Sequence, residues 1–258
     1  MIAAIAGDII GSVHERAHLK RMNFELFQKN SRFTDDTVLT MAVADCILNG
    51  KPYSETIRAY GKKYWARGYG GMFRKWVQDD TMGPYNSFGN GSGMRVSPVG
   101  WAFHRLNEVM DEAERSAVCT HNHPEGVKGA QAIAASVFMA RKGKSKKEIR
   151  EYVASTFNYD MNRSAEQIRK HYKFDVTCQG SVPEAIICFL DSRDVEHAIR
   201  LAISLGGDAD TQACMAGAIA QAFYKKVPQI LVDEVQARLE PELWELTQAF
   251  CTRYKVAY

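Results

Sequence analysis

The chain has 258 residues, 46% of them hydrophobic and 24% charged, an ordinary globular balance that can bury a core without disulfide staples. Its net charge is +3, from 33 basic against 30 acidic residues, with none of the basic striping of a dedicated nucleic-acid binder. No apolar run reaches about eighteen residues, so no membrane-spanning helix is expected.

The opening Met1–Asp8 has no basic start and meets an acid at once, unlike a secretory signal. A first acidic element follows, Gly7-Asp8-Ile-Ile-Gly11-Ser12-Val-His-Glu15. A second, Phe33-Thr34-Asp35-Asp36-Thr37, leads into a predicted helix, Thr37–Asn49, whose apolar face carries Val38, Leu39, Met41, Ala42, Val43, Cys46 and Ile47. Ser54 is expected to N-cap a helix over Glu55–Arg67. From Asp79 to about Ser97 the chain is irregular and rich in Gly, Asn, Ser and Pro. A loop this long in a compact domain is functional or disordered, and Tyr85 and Phe88 argue against disorder.

Helical spacing resumes over Val127–Arg141. The basic run Arg141–Lys147 reads as a solvated helix connection, and Ser145-Lys-Lys-Glu148 is a capping box opening the next helix. Phe174–Thr177 is a candidate short extended piece. Val182–Leu190 and Val195–Leu205 read as helices. The third acidic element, Gly206-Gly207-Asp208-Ala-Asp210-Thr211, opens a helix over Thr211–Lys225. Pro228 and Pro241 fall near first turns, where proline is tolerated, and Glu242–Tyr254 closes the series. Sustained strand alternation is missing. The expectation is therefore an all-α protein, one compact helical domain over residues 1–258. The six cysteines form no Cys-x-x-Cys pair, and Cys46 and Cys214 sit in apolar runs. That is the usage of a reduced compartment, and a cytoplasmic location is expected.

The second and third acidic elements share a design: aspartates and a threonine clustered at the start of an apolar helix. One N-cap needs one such residue. Several carboxylates on an apolar frame are costly unless a cation compensates them. Carboxylate and hydroxyl oxygens suit magnesium, manganese or calcium. Adjacent helical side chains such as Asp35 and Asp36 point about 100° apart, so two ions sharing the carboxylates fit better than one. Glu15 alone reads as a solvated acid. Gly89-Asn-Gly91 can offer backbone N–H groups to a phosphate but is also a common turn. It is neither a P-loop nor a dinucleotide fingerprint. Cys119-Thr-His121-Asn-His123 lacks a second ligand pair for zinc, and a histidine donating to a phosphate or sugar oxygen is the better reading.

In this order, Gly-Asp-x-x-Gly-Ser, Phe-Thr-Asp-Asp-Thr at 33–37, Gly-Asn-Gly-x-x-Met-Arg at 89–95, Thr-His at 120–121 and Gly-Gly-Asp-Ala-Asp-Thr at 206–211 resemble the ADP-ribosylglycohydrolase family. The dinitrogenase reductase-activating glycohydrolases belong to it. The likeness runs from Gly7 to about Ala222. It implies a compact orthogonal all-α domain with a binuclear Mg2+ or Mn2+ centre. It assigns Thr34, Asp35 and Asp36 to metal ligation on one side and Asp208, Asp210 and Thr211 on the other. Glu15 and Asp36 become the candidate catalytic carboxylates. Ser87 and Phe88 fall where the family holds the distal ribose and adenine, and Gly89, Asn90, Gly91 and His121 where it holds diphosphate and ribose. Asp8 reads as structural support.

The implied reaction is hydrolysis of the bond between ADP-ribose and a modified protein or small molecule, foremost N-linked ADP-ribosyl-arginine, by a monomer. O-linked (serine or acyl) ADP-ribose and a non-catalytic ADP-ribose-binding module are the alternatives. Arginine-directed bacterial relatives carry an aspartate before the helix that follows the second motif. Here the stretch reads Gly83-Pro84-Tyr85-Asn86.

Overall fold

The computed structural model describes residues 1–258 and is all-α apart from one isolated antiparallel bridge, Gly89 to Thr177. Its first seven helices are α1 (Ile2–Gly11), α2 (Asp35–Asn49), α3 (Tyr53–Lys63), α4 (Gly71–Gln78), α5 (Gly91–Arg95), α6 (Ser97–Ala102) and α7 (Leu106–Ala117). The remainder are α8 (Pro124–Arg141), α9 (Lys146–Phe157), α10 (Ala165–His171), α11 (Cys178–Asp191), α12 (Val195–Ile203), α13 (Ala209–Tyr224), α14 (Gln229–Arg238) and α15 (Pro241–Tyr254). One hydrophobic cluster of 78 buried residues runs through these helices, so no second core divides the chain. No helix is long and apolar enough to cross a membrane.

The local chemistry explains most boundaries. Ser145 and Glu148 form the capping box that opens α9. Pro241 opens α15, and Pro228 is the N-cap of α14. All six cysteines are free, and Cys46 and Cys214 are buried. Several expectations need correcting. Ser54 is not a cap: α3 starts at Tyr53 behind Pro52 and ends at Lys63, short of Arg67. The irregular stretch is interrupted by α5, which begins at Gly91. Helix α11 starts four residues ahead of its apolar run because the Thr177 side chain accepts from Gly180 N. The extended piece near 174–177 survives only as the single bridge.

Helices α1 and α13 set the frame of the site. All ten residues of α1 are buried, as are Ala209–Ala222 of α13. Glycines let the two backbones touch. A Cβ on Gly7 would lie 2.3 Å from Ala213 O, one on Gly11 2.3 Å from Asp210 Cα, and one on Gly217 2.3 Å from Ala3 O. Any side chain there would force the helices apart. This approach carries Asp8, in the middle of α1, to the first turn of α13.

Candidate active site

Asp8 fastens the second acidic element to this frame. Its Oδ1 accepts from Thr34 Oγ1 at 2.7 Å; its Oδ2 accepts from Thr34 N at 2.9 Å, Thr37 N at 3.1 Å and Thr37 Oγ1. Oδ2 is fully engaged by three donors and Oδ1 by one, so Asp8 anchors α2 and keeps one lone pair, on Oδ1, to offer a ligand. Thr34 caps α2, its side chain accepting from Asp36 N at 3.3 Å. The cap needs neither Asp35 nor Asp36. Asp36 Oδ2 accepts from Thr211 Oγ1 of α13 at 3.2 Å, across 175 residues of sequence. Its Oδ1 is buried with no partner at all.

The third acidic element completes the cluster. Asp208 is the N-cap residue of α13, but its side chain makes no capping bond. Its Oδ2 accepts instead from Asn90 Nδ2 at 2.7 Å, which ties the glycine-rich loop to the acids. Carboxylate oxygens of Asp8, Asp36 and Asp210 all lie within 4.8 Å of one another. Burial pushes the Asp36 and Asp210 carboxyls well above the usual range, followed by the charges of neighbouring aspartates, Asp8 and Asp35 on Asp36 and Asp208 and Asp36 on Asp210. Asp35 is pushed up to about 8, by burial first and by the charge of Asp8 next. Crowded acids with these environments call for a cation. The set is all oxygen, carboxylate and threonine hydroxyl, and includes the bare Asp36 Oδ1. It fits a hard divalent ion and not zinc.

These groups line a cavity of about 570 Å³, within the range of small-molecule sites. Of the residues given a catalytic, metal-binding or substrate-binding role from the sequence, all but Phe88 line it: Glu15, Thr34, Asp35, Asp36, Ser87, Gly89, Asn90, Gly91, His121, Asp208, Asp210 and Thr211. The Phe88 ring is 46% exposed and packs beside His123, with centroids 5.3 Å apart. Asp79 and Asp80 are also outside the cavity: Asp79 accepts from Thr81, and Asp80 pairs with Lys62 at 2.6 Å.

Sequence reasoning missed one wall, the seven consecutive residues Arg67–Phe73, together with Tyr85 and Val176, and gave Arg95 no role beyond its place in a motif. Tyr69 is buried there, and its hydroxyl has no partner. The glycines of Gly68-Tyr69-Gly70-Gly71 were a signal of the same kind as Gly89-Asn-Gly91. Gly68 takes a positive φ of 106°, and a Cβ there would meet Asp35 Oδ1 at 3.2 Å.

Comparison with known proteins bears on the family and the fold. A family model described as ADP-ribosylglycohydrolase matches residues 1–257. The chain is 26% identical to mouse ADP-ribosylhydrolase ARH3 over 312 aligned residues, covering 89% of this chain and 84% of that protein. It is also 26% identical to the ADP-ribosylarginine hydrolase Tri1 of Pseudomonas putida (strain GB-1), covering 87% of this chain and 69% of that one. A solved structure titled ADP-ribosylglycohydrolase-related protein complex superposes with a TM-score of 0.74 at 21% identity, over 100% of this chain and 97% of that one. At that identity the structural likeness speaks for the fold.

Proposed function

The chain belongs to the ADP-ribosylglycohydrolase family, and from that premise we propose that it hydrolyses the glycosidic bond between ADP-ribose and a modified target, the N-linked bond of ADP-ribosyl-arginine. The observation that carries the reading is the meeting of Asp36 and Asp210, from two distant helix starts, around an oxygen with no protein partner. The arginine linkage draws support from the likeness to an ADP-ribosylarginine hydrolase.

Thr34, Asp35 and Asp36 on α2, with Asp208, Asp210 and Thr211 at the start of α13, would hold two Mg2+ or Mn2+ ions. Bound there, the ions supply Lewis acidity beside the anomeric carbon and lower the pKa of water. The rest falls to the chain. Ser87, the Gly89–Gly91 backbone and His121 hold the ribose and diphosphate, so binding energy far from the reacting bond orients the anomeric carbon over the acids. Glu15, in the turn-rich segment after α1, or Asp36 takes the proton of the attacking water and returns it to the departing guanidine nitrogen as the glycosidic C–N bond breaks. Phe88, at the outer edge, offers its exposed face to adenine. The target itself is a protein or small molecule carrying ADP-ribose, and we assign the active unit as a monomer in the cytoplasm.

The test is release of free ADP-ribose from arginine-linked and serine-linked peptides, with magnesium or with chelator. Magnesium-dependent turnover of the arginine peptide that is lost in Asp210→Ala is the expected result. Full magnesium-dependent activity in Asp210→Ala would overturn the site, and turnover of the serine peptide alone would overturn the linkage.

A further inference from the structure

Behind the glycine-rich loop, His121 is backed by two buried residues that the reaction scheme does not use, Arg95 and Thr120. Arg95, in α5, is fully buried, and its Nη2 donates to Ser116 O at 2.9 Å and to Thr120 Oγ1 at 2.9 Å. Thr120 is fully buried too, and its Oγ1 lies 2.7 Å from His121 Nδ1. On the other side of the ring, a Cβ on Gly91 would come within 3.1 Å of His121 Nε2, and one on Gly89 within 3.7 Å. The glycines leave that nitrogen uncovered, and all three residues line the cavity.

Proton counting along this chain has one solution. A guanidinium only donates, so Thr120 Oγ1 accepts from Arg95. The hydroxyl has a single proton, and His121 Nδ1 is the one other polar atom bonded to it. If Nδ1 carried a proton, the oxygen would face two donors and its own proton would be buried without an acceptor, a costly arrangement. The hydroxyl therefore donates to Nδ1, and the ring proton sits on Nε2. We propose that Arg95 and Thr120 are positioning residues that lock His121 in the neutral Nε2–H tautomer and so present one fixed donor to an anionic or hydroxyl oxygen of the ligand at the glycine-rich loop. Its purpose rests on the reading of the cavity as an ADP-ribose site. Burial, and then the charge of Arg95, hold His121 well below its usual pKa, which agrees with a neutral ring.

Histidine-selective 15N NMR of the whole protein reads the tautomer directly. The wild-type His121 is expected to show a protonated Nε2 and an unprotonated Nδ1. T120S keeps the hydroxyl and should keep that spectrum, whereas T120V should give a mixture of tautomers. Calorimetry with free ADP-ribose should show Kd about tenfold weaker in T120V, the loss of one well-placed hydrogen bond, and recovered in T120S. A wild-type ring protonated on Nδ1 overturns the proposal whether or not the variants fold. A T120V protein with wild-type tautomer and wild-type Kd overturns it as well. Wild-type protein with the Nε2–H tautomer but no affinity for ADP-ribose would instead sink the reading of the cavity, and the ligand half of this proposal with it.

Discussion

Asp36→Asn separates a metal-binding acid cluster from a set of helix caps. The amide keeps the shape of the carboxylate and can still accept from Thr211 Oγ1, while Thr34 does the capping. The charge is lost, and the buried, unpartnered Oδ1 becomes an amide NH2. With carboxylate oxygens within 4.8 Å, two like charges repel by about 3.5 kcal/mol at an effective dielectric constant of about 20. Asp36 faces both Asp8 and Asp210, so the ceiling on relief is about 7 kcal/mol, and proton uptake by the metal-free wild type absorbs much of it. We expect the metal-free variant to gain about 1–2 kcal/mol, a Tm rise of roughly 2–8 °C for a chain of this size. In magnesium at about 100 times its Kd the wild type should gain about 2.7 kcal/mol and the variant almost nothing. The order of stability therefore reverses between chelator and magnesium in a thermal melt. An Asp36→Asn protein less stable than wild type in chelator, or equally stabilised by magnesium, would refute the reasoning.

Asp8→Ala removes the acceptor of four hydrogen bonds and should cost about 2–4 kcal/mol in urea unfolding with or without magnesium; a cost below about 0.5 kcal/mol would deny Asp8 its anchoring role. Gly11→Ala puts a Cβ 2.3 Å from Asp210 Cα and should lower both stability, by about 1–3 kcal/mol, and magnesium affinity; unchanged calorimetric affinity would show that helix spacing does not set the site. Phe88→Ala should raise KM more than it lowers kcat in ADP-ribose release, since the ring lies outside the cavity and away from the acids; a loss confined to kcat would place Phe88 elsewhere in the reaction.

What was legible in the sequence is what short-range chemistry decides. The Thr-Asp-Asp-Thr and Asp-x-Asp-Thr helix starts were visible because they hold more acid than one cap requires, and the capping box at Ser145 because it is a local bond pattern. Helix α1 was read only as an acidic element. Its ten residues are buried on every side, so it has no polar face to reveal a helical period. Nor could its glycines announce that they meet α13 backbone to backbone, since that contact spans some two hundred residues of sequence. Of the wall from Arg67 to Phe73, the sequence marks only Arg67, as an expected helix end. The buried, unpartnered hydroxyl of Tyr69 becomes visible only once the neighbours it lacks are known. Arg95 stands in a recognisable motif, but its link through Thr120 to His121 depends on its side chain reaching the end of α7.

Anomalous diffraction from crystals grown in Mn2+ would locate the ions outright. The account predicts two peaks in the cavity, ligated by oxygens of Asp35 and Asp36 on one side and of Asp208 and Asp210 on the other, with Asp36 Oδ1 engaged. Crystals with manganese bound elsewhere, and these carboxylates holding only protons and water, would contradict it.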